Sequence, residues 1–234
     1  TGAILTDATF RKADLTRAQM SSVSATRVNA EGAILDLASA SGINLSQSTL
    51  YQAVMPDIDL RGATLTSAIL ILADMRRGAL GSVTLTAAVL SEANLDQASL
   101  TRAVLDGAIL VRTYMPGADL TRAKGTEITL RNVNLRGATL TRATLINGIF
   151  TGSDLSGVNA QGVDLHRTDI FGVALVGADL RKANLSRTST YRTVFTNADL
   201  RQASLELARN LHEAVWKDTL CPNGKVATDK PCRK

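Results

Sequence analysis

Two cysteines, two histidines and a recurring aspartate are the residues of this chain best suited to chemistry. Cys221 and Cys232 could pair, stand as free thiols or hold a metal. Two thiols and a distant His212 do not make a structural zinc set, which wants four ligands. Turn formers, Pro222, Asn223 and Gly224, follow the first cysteine. A disulfide closing this small loop is therefore preferred over two free thiols. His166 and His212 lie far apart, and no GxSxG, HExxH or phosphate-cradling glycine motif occurs. Asp14, Asp59, Asp74, Asp119, Asp154, Asp164, Asp179 and Asp199 invite a paired-carboxylate or calcium reading. Each one, however, stands immediately before a central apolar residue, usually leucine. A short side chain there can bond neighbouring backbone at a turn, which is a task of the fold. The expectation is a non-enzyme with no catalytic residue, no cofactor, no metal and no small-molecule substrate.

What positions these residues is a repeat, clearest from Ala93 to Leu110. A small residue (Ala93, Ala98, Ala103, Ala108) is followed two places later by a leucine (Leu95, Leu100, Leu105, Leu110). The leucine column falls on every multiple of five from Leu5 to Leu205 without an insertion. Its departures are mostly apolar, among them Phe10, Met20, Ala25, Met55, Met75, Met115, Phe150, Ile170 and Phe195. Gly125 and Thr190 are the odd members. Five is neither the helical period of 3.6 nor the strand period of 2. It suits a chain that runs straight for three residues, pointing the small residue and the leucine inward, and then turns a corner with the next two. Glycine recurs at the second corner position (Gly62, Gly107, Gly137, Gly177), where a turn can need positive φ. Aromatic residues are only 3% of the chain, so a narrow aliphatic interior is expected.

The units Ala13-Asp14-Leu15, Ala93-Asn94-Leu95, Ala118-Asp119-Leu120, Ala178-Asp179-Leu180 and Ala183-Asn184-Leu185 resemble the A(D/N)LXX consensus of the pentapeptide-repeat family. The resemblance spans 1–205. It implies an all-β fold, a right-handed quadrilateral β-helix of twenty residues per coil, with about ten coils stacked at ~4.8 Å. Residues 206–234 are read as a C-terminal cap. Leu207, Leu211 and Val215, four apart, predict a short capping helix near 206–215, with Trp216 as a plug. Trp216 followed by Thr219-x-Cys221-Pro222-x-Gly224 is similar to the tails of cyanobacterial and chloroplast lumenal members. That similarity implies periplasm or thylakoid lumen, with a targeting segment removed; free cysteines would instead imply the cytoplasm. No run of about 18 apolar residues occurs, so no transmembrane helix is expected.

A twenty-residue coil turns the sequence into a surface map. Ile69, Val89, Ile109 and Ile149 should stack on the outside of one face. Ile71, Leu72, Val111 and Phe171 should lie beside them, forming an apolar stripe for a protein partner or a second copy. Arg102, Arg122 and Arg142, each after a threonine, should stack on a corner, extended by Arg61, Arg181, Lys182 and Arg201. The net charge of +5 is mild and does not argue for nucleic acid. The favoured reading is a scaffold presenting rigid faces. The family also includes DNA-mimicking proteins that protect topoisomerases from quinolones, and that is the second reading. The basic balance of this chain departs from the acidic surface of those members.

Overall fold

A computed structural model describes residues 3–228 and 230–232. The chain winds into a four-sided β-helix. Each outward residue of a side bridges, in parallel, the residue twenty positions on, from Ile4↔Ser24 to Ser189↔Arg209. The strand of each side is short because only three residues are extended before the next corner. Backbone groups are satisfied between coils: Leu90 donates to Ile109 O at 2.8 Å, and Ile109 donates to Ala88 O at 2.9 Å.

Most corners close with a bond from the small residue back to the preceding central residue, as in Ala93 N to Leu90 O at 3.0 Å. The second corner residue has φ between +54° and +70° throughout the coils. Positive φ at the third of four residues is the mark of a type II turn. Glycine fits it without strain, yet arginine, glutamine and even Leu72 hold it here. The interlocked ladders on either side overrule that local preference.

The interior is two stacked sets of side chains. The central residues Leu60, Leu65, Leu70, Met75, Leu80 and Leu85 are fully buried, with Ala63, Ala68 and Ala73 beside them. The few hydroxyls among them are bonded. Ser48 Oγ accepts from Val28 N and donates to Ala25 O, both at 3.1 Å. Ser153 does the same for Val133 N and Leu130 O, at 2.9 and 2.6 Å. Each serine thus closes the corner of the coil before it. This removes the desolvation cost that a buried unpaired hydroxyl would carry.

The tail departs from expectation in one respect. No helix spans 206–215. Glu206 and Leu207 take the two corner positions, Ala208 packs against the core, and Arg209 bridges Ser189. Arg187 N donates to Glu206 O at 2.8 Å and Arg209 N to Thr188 O at 2.9 Å. These ladder bonds outweigh the helix propensity of Leu and Ala, since propensity is a weak prior against tertiary context. Leu207 and Val215, the supposed helix face, are exposed. The rhythm breaks at Asn210, which takes a left-handed φ of 60° and precedes a single 3-10 turn at Leu211–Glu213. One extra residue then enters the stack, and Val194↔Val215 and Asp199↔Leu220 pair one step out of the earlier period. Trp216 is buried against Phe195, ring centroids 4.5 Å apart, and its indole N–H donates to Leu211 O at 2.8 Å. The plug is the residue that follows the bridging Val215, stacked over Phe195 without a helix to carry it.

Beyond it, β1 (Thr219–Leu220) pairs antiparallel with β2 (Val226–Ala227). Cys221 and Cys232 are joined in a disulfide, Cα to Cα 5.3 Å, and both are buried. Protein unfolded without reductant should therefore show no thiol reactive toward Ellman's reagent, and two should appear after reduction. Two reactive thiols in unreduced protein from its native compartment would contradict the bridge.

Candidate functional site

The outward residues of the second side run Thr49, Ile69, Val89, Ile109, Thr129, Ile149 and Asp169, each bridged to the next. Along this column the chain exposes aliphatic side chains on three consecutive coils. Ile69 and Leu72 are each 40% exposed and Ile109 is 39% exposed, while Ile71, Val89 and Val111 are half-buried. The corner residues Ile71 and Leu72 continue the surface beyond Ile69, and Val111 does so beyond Ile109. An ion pair between Arg112 and Glu92 lies at the rim. Ser91 interrupts the corner between Ile71 and Val111.

Two of the anticipated stripe residues stand apart from this core. Thr129 separates Ile149 from Ile109, and Arg131 and Thr151 hold the corner positions between Val111 and Phe171. Phe171 instead stacks on Tyr191 at 5.4 Å, and the Arg192 guanidinium sits over the tyrosine ring at the same distance. Two exposed aliphatic residues that the column map passed over lie on the third side, across a corner from this column. Ile34 and Val54 bridge each other and are each 39% exposed, and the Tyr51 corner lies between Val54 and the second side. Reading adjacent columns across a corner, as well as along each column, would have found them.

The polar candidates serve the coils. All eight aspartates accept a bond from the backbone N–H two residues on: Thr16 to Asp14 at 2.9 Å, Arg61 to Asp59 at 3.1 Å, Arg76 to Asp74 at 3.2 Å, Thr121 to Asp119 at 2.9 Å, Ser156 to Asp154 at 2.9 Å, His166 to Asp164 at 3.0 Å, and Arg181 to Asp179 and Arg201 to Asp199, both at 3.1 Å. Such a bond fixes the entry to the corner. In Asp59, Asp179 and Asp199 the hydrogen bond from the arginine two residues on is the main cause of a lowered carboxyl pKa. A carboxylate with a depressed folded pKa contributes stability above its unfolded value. That stability is lost as pH falls through the folded value. Solvent screens these surface pairs, so the contribution is small. His166 Nδ1 lies 2.7 Å from Ser186 Oγ, a neutral partner. Among those residues no group of His, Cys, Asp or Glu could hold a metal ion, and no helix is long and apolar enough to cross a membrane.

Stacked coils, each contacting its neighbours and each presenting four outward columns, define a repeat solenoid of the β-helix type. The pentapeptide-repeat model, in eight copies, matches residues 3–42, 43–77, 85–124, 126–157, 149–187 and 174–209, and the chain belongs to that family. Among solved structures it is similar to HetL, a pentapeptide repeat protein involved in heterocyst differentiation regulation from the cyanobacterium Nostoc. The two share 27% identity over 92% of each chain, with a TM-score of 0.50. QnrB1, a plasmid-mediated fluoroquinolone resistance protein, is 14% identical over 89% of each chain, with a TM-score of 0.42. A pentapeptide repeat protein from the Arabidopsis thaliana thylakoid lumen is 28% identical over 36% of this chain and 64% of its own, with a TM-score of 0.20. A search of curated protein sequences returns no match.

Proposed function

We propose that this protein is a non-enzymatic scaffold of the right-handed, four-sided type, whose second side docks a protein through its apolar stripe. The observation that carries this reading is the outward column of Ile69, Val89 and Ile109 on consecutive coils, with Ile69 and Ile109 exposed and Val89 half-buried between them. Outward positions elsewhere on the solenoid are mostly polar. Scattered exposed aliphatics mean little, but a contiguous apolar patch marks an interaction surface. A rigid ladder also presents that patch at little ordering cost, which favours binding. The cyanobacterial relative HetL is described as involved in differentiation regulation. Regulation through binding is a role that such a face could serve. The disulfide in the tail supports an oxidising compartment, periplasm or thylakoid lumen.

Val89→Lys combined with Ile109→Lys tests the docking face. Both side chains point outward, so circular dichroism and the unfolding midpoint should stay near those of the parent. Self-association in sedimentation, or capture of a partner from the native compartment, should be lost. A double variant that matches the parent in both assays would remove the stripe from the function.

A further inference from the structure

We propose that the corner carrying Arg102, Arg122, Arg142 and Lys182 is a binding site for a linear polyphosphate chain. Arg102, Arg122 and Arg142 occupy the same second-corner position on three consecutive coils, and their φ values are 57°, 58° and 56°. Gly162 takes the next coil and Lys182, with φ of 60°, the one after. The cations therefore form a straight row along the rod with a rise of about 4.8 Å per coil. With the threonine before each arginine they wall a groove of about 500 Å³.

The charges of this row are unanswered on three consecutive coils, Arg102, Arg122 and Arg142. Several other arginines of the solenoid are neutralised, while Arg167 and Arg187 form a shorter stack, unpaired among the described residues, that ends at Leu207. Arg181 and Arg201 are tied to Asp179 and Asp199, Arg76 to Asp74, Arg77 to Asp57, and Arg61 to Asp59. Arg102, Arg122, Arg142 and Lys182 make no ion pair among the described residues. Asp119, the nearby acid on the preceding side, is engaged by Thr121 N at 2.9 Å. Like charges on neighbouring strands repel, so the row costs stability in the free protein, and an anion laid along it relieves that cost. Lys124, outward on the next side, adds to the positive field.

The donor set selects the anion. A guanidinium offers a planar fork to two oxygens of an oxyanion. The hydroxyls of Thr101, Thr121 and Thr141 make no hydrogen bond within the described protein. They can supply further donors to the oxygens of a tetrahedral phosphoryl group. A phosphoanhydride chain carries charge on every phosphorus, more closely spaced than the rungs, so each cation meets a phosphoryl in any register. An extended nucleic-acid strand carries only one charge per nucleotide, with a sugar between successive phosphates. None of the groove-lining residues is aromatic, so bases would find no stacking platform there.

The test uses the whole chain and fluorescently labelled inorganic polyphosphate, titrated at several salt concentrations. Binding should weaken steeply with salt, and Arg102→Gln/Arg122→Gln/Arg142→Gln should weaken it at least tenfold. A control of equal charge loss, Arg17→Gln/Arg131→Gln/Arg187→Gln, should leave affinity within about twofold. Circular dichroism checks that both triple variants are folded, and single Arg122→Gln, expected to lose several-fold, serves if a triple variant is not. Equal weakening by the two triple variants would reduce the row to net charge and overturn the proposal. So would polyglutamate, a heparin oligosaccharide or single-stranded DNA binding as tightly as polyphosphate.

Discussion

Trp216→Ala is expected to destabilise the protein by about 3–5 kcal/mol, the range for truncating a large buried aromatic. The last coil is where this solenoid has most to lose. An interior coil is covered by a neighbour on each side, while a terminal one shows apolar side chains and unpaired backbone groups to water. Trp216 covers Phe195, the central residue beneath it, in a near-parallel stack at 15°, and it is the only tryptophan in the chain. Its indole N–H also holds Leu211 O, fixing the 3-10 turn that carries the chain out of the coils. Removing the ring leaves Phe195 under a cavity and frees that turn. Amide exchange should accelerate first at Val194, Leu200 and Leu205, with Leu60 to Leu110 little changed. Trp216→Phe should keep most of the stack and lose only the hydrogen bond, at about 0.5–1.5 kcal/mol. Denaturant unfolding followed by circular dichroism measures both. A change below about 0.5 kcal/mol for the alanine variant, the range of surface sites, would mean that the ring does not close the core.

The ladder was legible in the sequence because its period is strict. Inward columns at multiples of five, corners that suit glycine and outward residues stacking at twenty all follow from register alone. The eight aspartates could be assigned to the backbone before any coordinates, because each stands before a central residue that must enter a corner. The tail was not legible in the same way. Glu206 to Leu211 satisfies two patterns, a helix with apolar residues four apart and one more pentad. What decides between them is the pairing of Arg209 with Ser189, twenty residues back, and nothing in the local sequence reports it. The stripe shows the same limit. Columns gave Ile69, Val89 and Ile109, but Thr129 cuts Ile149 away, and the exposed Ile34 and Val54 lie on the adjoining side, which a single column does not report. The unpaired basic row is shorter than the sequence suggests. Arg61, Arg181 and Arg201 share its corner in sequence, and only the structure shows them already paired with aspartates.

Gly125→Leu, which restores the consensus residue of the central column, is expected to destabilise the chain by about 1–3 kcal/mol, the cost of overpacking. The sequence alone left the sign open, since a glycine in an inward column can mean either a void or a site that neighbours have filled. The structure shows it filled. A Cβ on Gly125 would stand 3.2 Å from Leu145 Cδ2 and 3.4 Å from both Cβ and Cδ1 of Ile128. Ile128 is the cause. It occupies the inward position that is alanine in most five-residue units, is fully buried, and spends its extra volume where the missing leucine would sit. The accommodation continues into the next coil. A Cβ on Gly148 would lie 3.0 Å from Phe150 Cε2 and 3.2 Å from Ile128 Cγ2, so Gly125, Ile128, Gly148 and Phe150 interlock as one packing unit. A leucine at 125 therefore brings four heavy atoms into occupied space. Its backbone N–H to Thr144 O bond, 2.8 Å, leaves the chain little freedom to retreat. Ile128→Ala alone should also cost stability, about 2–5 kcal/mol, through the cavity it opens. The two changes together should cost less than their sum, because each relieves the other's defect and contacting residues are not additive. Urea midpoints for the parent, the two single variants and the double variant close the cycle. A simple sum, or a Gly125→Leu protein as stable as the parent, would show that Ile128 does not fill the place of the missing leucine.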